Sequence, residues 1–153
     1  MIPNAAVYEI PAPWTFVGMD MAEIKCPRFR CKVKFHLCVD LATKFSRAAI
    51  AMRYDINKQQ HENGELAVKL FAEAWLSDKP RPRWVIVDTA PSLSSKYFTD
   101  FLSENLIGVQ GTPGEAPWAH GVVERMVHRV KLTATLIMNS DVFAVTTTTG
   151  DLF

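Results

Sequence analysis

Cysteine is scarce in this sequence, with three residues at Cys26, Cys31 and Cys38. They form no CxxC pair and leave one thiol over, which argues against a disulfide-stapled secreted scaffold and for a reducing compartment. Long apolar runs are missing too. None approaches the roughly 18 residues that a membrane span needs, and the opening Met1-Ile2-Pro3-Asn4 does not read as a signal peptide. Nor is there an excess of one charge: seventeen Lys and Arg face sixteen Asp and Glu, a net charge of +1. No global field therefore marks the chain for nucleic acid or a membrane. What is present suits a globular domain. The 153 residues, 48% of them hydrophobic, suffice for one core and are too few for two large domains. The expectation is a soluble intracellular domain that makes no membrane contact.

Residues 1–13 carry three prolines and no period, and read as a tail. From Trp14 to Ile24 strand formers dominate, with Asp20 in their middle. Arg28, Arg30, Lys32 and Lys34 then alternate with Phe29, Cys31, Val33 and Phe35, the pattern of a strand with one wet face. That basic stripe is equally a phosphate-binding surface or solvent protection of a strand. A third strand follows the turn at Thr43-Lys44, over Ser46–Tyr54, so three short-linked strands suggest an antiparallel meander.

The period then changes. Leu66, Ala67, Leu70, Phe71, Ala74 and Trp75 recur at threes and fours and predict a helix over 62–77, stopped by Lys79-Pro80-Arg81-Pro82-Arg83. Trp84-Val85-Ile86-Val87 is continuously apolar, as in a strand buried on both faces. A helix is predicted over 94–106 with Tyr97, Phe98, Phe101 and Leu102 inward, then a short strand at 107–110, a flexible loop at 111–117 and a longer helix over 118–139. That last helix turns Val123, Met126, Val127, Val130 and Ala134 inward. Residues 141–153 show no pattern. The order implies an α/β fold with one mixed sheet covered by helices.

Three carboxylates sit where chemistry gathers. Asp20 lies inside an apolar strand, where an uncompensated charge costs several kcal/mol. Asp88 directly follows the buried strand, and ligands of open sheets collect at the carboxyl ends of such strands. Glu124 opens the last helix, and thirty-five residues separate it from Asp88. Each has a plainer reading: an outward-facing acid, a turn or cap former, a solvated glutamate near a helix start. Their joint distribution over first strand, fourth strand and final helix can bring all three to one sheet edge.

At this point the sequence resembles the catalytic core of retroviral and retrotransposon integrases, in the ribonuclease H-like superfamily. The segments that carry the resemblance are PWTFVGMDM around Asp20, HLCVDLATKFSRA, WVIVD ending at Asp88, and KYFTDFLSENLIGVQGTPGEAPWAHGVVERM with Glu124 near its end. Together they span about residues 13–135. GEAPWAHGVVER has a copia-like look, which favours a retrotransposon. Where integrases usually follow the second Asp with Asn-Gly, this chain reads Asp88-Thr89-Ala90-Pro91-Ser92. The His-His-Cys-Cys order of the amino-terminal zinc module is absent.

The resemblance implies a ribonuclease H-like fold: a five-stranded mixed sheet, three antiparallel strands then two parallel, with helices on both faces. It implies a tail at 1–13, a core over 14–140 and an irregular C-terminus at 141–153. It further implies DNA 3′-end processing and strand transfer with two Mg²⁺ or Mn²⁺ ions. Asp20 would bridge both ions, Asp88 hold one and Glu124 the other; Asp40, which also ends an apolar strand, is the fallback for Asp20. DNA contacts are expected from His120, His128 and Lys131, the latter two at i+4 and i+7 from Glu124. The partners implied are element ends and target DNA, in a homodimer or higher multimer, located in the nucleus or in a cytoplasmic element particle. A catalytically silent DNA-binding or interaction remnant, a transposase with the same triad, and a ribonuclease H remain the alternatives.

Overall fold

A computed structural model describes residues 12–87, 91–110 and 117–140 of the chain. The first strand, β1 (Phe16–Cys26), pairs antiparallel with β2 (Cys31–Asp40), which pairs antiparallel with β3 (Ser46–Asp55). Then come α1 (Gly64–Phe71), continued by a π-helical turn at Ala72–Leu76, and β4 (Trp84–Val87), parallel to β1. The helix α2 (Lys96–Glu104), β5 (Gly108–Gln110), parallel to β4, and α3 (Pro117–Met138) complete the order. The sheet runs β3-β2-β1-β4-β5. This is the expected mixed sheet of three antiparallel and two parallel strands.

Strand periodicity sorts β1 between two layers. Val17 and Met19 join Phe71, Trp75, Leu93, Phe98 and Leu102 under α1 and α2. Phe16, Ala22 and Ile24 face the other way, toward Ala119, Val122, Val123 and Val127 of α3. The inner strand β2 is buried on both faces from Phe35 onward, which is why its sequence loses polar alternation there. Helix starts are closed locally: the Leu66 N–H donates to Asn63 Oδ1 at 2.8 Å and the Phe98 N–H to Ser95 Oγ at 3.3 Å.

Two details depart from the periodic reading. Pro27–Phe29 form a 3-10 turn and Arg30 is left-handed, with φ 50°, so Arg28 and Arg30 belong to the β1–β2 turn and not to a strand face. Alternation alone does not distinguish a tight turn from a strand when Pro begins it. Tyr97, expected inward, is 56% exposed, because α2 buries only Phe98 and Leu102 fully, with Phe101 half-buried beside them. All three cysteines are free and buried, and burial pushes the Cys38 thiol up to about 12.

Candidate active site on the face of the last helix

Asp20 lies on the α3 face of β1, since Phe16, Ala22 and Ile24 of the same strand phase pack there. It is half-buried, and its Oδ1 accepts the Met21 N–H at 2.7 Å. Its neighbours along that face are the small Gly18 and Ala22, and Leu37 stands opposite on β2. On its other side β1 meets β4, with Met19 opposite Val87. The carboxyl end of β4 therefore arrives beside Asp20. Asp88, the next residue in the chain, lies outside the described residues, as do residues 111–116 of the loop before α3.

The approach of α3 depends on a glycine. A Cβ at Gly18 would come within 2.3 Å of Val123 Cγ2, so α3 crosses β1 closer than any side chain at position 18 permits. Asp20 is two residues from that crossing on the strand, and Glu124 is the next residue after Val123 on the helix. The two carboxylate-bearing residues thus flank one helix–strand crossing, Asp20 half-buried and Glu124 exposed. Among the described residues no three His, Cys, Asp or Glu side chains gather into a metal cluster; the third expected acid is outside them.

The other expected site residues occupy the flank of α3 that bears Glu124. At 100° per residue, His120, Glu124, His128 and Lys131 fall on one side of the buried Val123–Val127 line. His128 is exposed, and Lys131 and His120 are half-buried. His120 Nε2 is shielded from solvent with no hydrogen-bond partner among the described residues.

Asp40 is occupied elsewhere. Fully buried, it accepts the Trp14 N–H (3.0 Å), the Thr43 N–H (3.0 Å) and the Thr43 hydroxyl (2.6 Å), closing the β2–β3 turn and tying down the strand entrance. These hydrogen bonds make it a structural acid. The basic stripe is similarly absorbed: Lys32 sits 3.9 Å from Glu23, Lys34 3.2 Å from Glu62, and both ammonium groups lie over the Tyr54 ring.

No protein-family model and no curated protein sequence matches this chain. Solved structures do. The HTLV-2 integrase catalytic core domain, in complex with magnesium, is 19% identical with a TM-score of 0.62, over 83% of this chain and 74% of that one. The catalytic core domain of BIV integrase is 15% identical with a TM-score of 0.61, over 81% and 71%. The fold is that of a retroviral integrase catalytic core. A chain of the simian T-cell lymphotropic virus intasome, in complex with PP2A regulatory subunit B56 gamma, matches at 19% identity and TM-score 0.60, over 74% of this chain and 37% of that one. The mixed-sheet fold anticipated from the sequence is thus the observed one, shared with these integrase cores.

Proposed function

We propose that this chain is the catalytic core of an integrase, a polynucleotidyl transferase that trims DNA ends and joins them to target DNA. The observation that carries the reading is the Gly18–Val123 crossing, which has Asp20 and Glu124 on its two sides and the end of β4 next to Asp20. An integrase needs carboxylates from these three elements, and Asp88 is the acid that follows β4 in the sequence.

The donor set suits a hard divalent cation. Asp20, Asp88 and Glu124 offer only carboxylate oxygen, and Mg²⁺ takes one or two protein carboxylates with water filling the rest of its shell. The free thiol nearest in register, Cys38 opposite Met19, packs in the other layer and offers no competing soft ligand. When bound, such ions neutralise charge developing on the phosphate and lower the pKa of a coordinated water. The chain's own contribution is placement: Asp20 is held by the sheet and the Met21 N–H, while Glu124 rides on a helix fixed by the Gly18 contact. His120, His128 and Lys131 on the same flank would receive the DNA end. The nucleophile would be water in trimming and a DNA 3′-hydroxyl in joining, and no serine or cysteine intermediate is required. The copia-like segment favours a retrotransposon source, and the integrase reading implies multimers on DNA in an intracellular setting.

Calorimetric titration with Mg²⁺ and Mn²⁺, on the wild type and on Glu124→Gln, tests the proposal. Metal binding by the wild type and loss of one ion in the variant support it. Absence of binding in both sinks it and leaves the reading of a catalytically silent DNA-binding remnant.

A further inference from the structure

The opposite flank of α3 carries a second feature. Arg125 and Arg129, one helical turn apart, point away from the Glu124 side and line a cavity of about 180 Å³ together with Lys44, Val122 and Met126. Three cations and two apolar side chains form the lining, and no carboxylate is part of it. Both arginines are exposed and make no ion pair or hydrogen bond among the described residues. They differ in this from Arg47, which is spent on Asp78 at 2.5 and 2.7 Å, and from Lys32 and Lys34.

Lys44 is held in place. It takes a left-handed conformation, φ 66°, in the β2–β3 turn, its N–H donates to the Asp40 carbonyl at 2.8 Å, and its Nζ donates to the Leu41 carbonyl at 2.6 Å. The turn is in turn closed by the buried Asp40 carboxylate. One cation is therefore preorganised, with further N–H donors left on its ammonium, while Arg125 and Arg129 line the same cavity from the helix. Guanidinium forks match phosphate oxygens in pairs. Charge is also concentrated here: α3 carries Arg125, Arg129 and Lys131 against Glu124 alone, in a chain whose total is only +1.

The geometry points to a phosphate-binding subsite formed by Lys44, Arg125 and Arg129, which grips the backbone of a nucleic acid on the side of α3 away from Glu124. This rests on the nucleic-acid reading above and adds to it a second contact line, so that a strand engaged at Glu124 is also held across the helix. The polyanion is favoured over a single small anion because cations stand on both flanks of one helix, so one extended ligand can engage both sets.

The test is DNA binding by the whole chain, measured with a short blunt-ended duplex over a series of salt concentrations. Arg125→Gln/Arg129→Gln and Lys44→Gln are compared with Lys69→Gln, which removes an exposed charge from α1 in the other layer. Thermal melting confirms that each variant is folded. Loss of a phosphate contact should raise the dissociation constant roughly tenfold and reduce the salt slope by about 1 in the double variant, with Lys69→Gln unchanged. Wild-type binding with an unaltered constant and slope in the double variant overturns the subsite and leaves the wider DNA reading standing. An equal loss in Lys69→Gln overturns it as nonspecific charge. Absence of wild-type binding overturns both. Backbone amide NMR shifts at Lys44, Arg125 and Arg129 separate the ligand sources: movement with the duplex supports the subsite, and movement with inorganic phosphate alone overturns it.

Discussion

The two faces of the sheet are built from different materials. Under α1 and α2 the core is large and aromatic, with Phe71, Trp75, Phe98 and Leu102 all fully buried. Trp75 is ringed by Trp14 at 5.9 Å and Phe45 at 6.1 Å. Under α3 it is thin and mostly aliphatic: Val122, Val123 and Val127 rest on Phe35, Leu37 and Val39, and the helix comes close only because position 18 is glycine. Apolar surface stays open there, with Ile50 71%, Leu136 64% and Ile137 52% exposed. The first layer holds the domain together. The second carries Asp20, Glu124, Arg125 and Arg129, and one helix with few large contacts is the more easily adjusted support.

The sharpest way to break that contrast is to empty each layer in turn. Trp75→Ala should cost about 3–5 kcal/mol, the range for removing a large buried aromatic, read from denaturant unfolding. Trp75→Phe should cost much less, because the indole Nε1 has no hydrogen-bond partner among the described residues and its burial already disfavours the fold. If the two variants are equally destabilised, the aromatic layer is not the main store of stability.

A pH series sharpens the comparison next. His36 faces the closed layer, fully buried, with both ring nitrogens lacking partners among the described residues. Burial lowers its pKa from 6.5 to about 4, against a smaller opposing pull from Glu62. Between those values the unfolded chain binds the proton and the folded chain does not, so stability is complete above about pH 6.5 and declines as pH falls toward 4. The linkage amounts to about 3 kcal/mol. Unfolding curves of the wild type and His36→Gln across that window check it, and parallel pH dependences would remove His36 as the cause.

On the open face the expected effect is smaller. Gly18→Ala should cost about 1–3 kcal/mol through overpacking against Val123, and Val123→Ala should recover part of it in the double variant. Additive losses would mean that α3 does not bear on Gly18. The smallest effect belongs to the end of α2, where Leu106 sits left-handed with φ 57° and is 78% exposed. Leu106→Gly should stabilise the protein by about 0.5–1 kcal/mol, seen as a raised melting temperature.

Much of this architecture was readable from residue periodicity. The strand Trp84–Val87 shows in its unbroken apolar run, and α1 and α3 show in apolar residues at threes and fours. These are local signals, written by which side of an element must leave water. The 3-10 turn at Pro27–Phe29 escaped because its residues mimic strand alternation, and Tyr97 because a helical stripe does not say how wide its partner is. The acids behaved similarly. Asp20 and Asp40 look alike by strand periodicity, the resemblance favours Asp20, and the hydrogen bonds that Asp40 accepts from Trp14 and Thr43 show it spent on structure.

The sequence by itself determined the order and type of the elements and the chemistry available on them, because both follow from neighbours along the chain. Tertiary structure decided which groups meet. It set Gly18 against Val123, gave Asp40 to a turn, paired Lys34 with Glu62, and brought Lys44, Arg125 and Arg129 around one cavity. Those outcomes depend on how closely two distant elements can approach, a distance fixed by side-chain volume at the crossing.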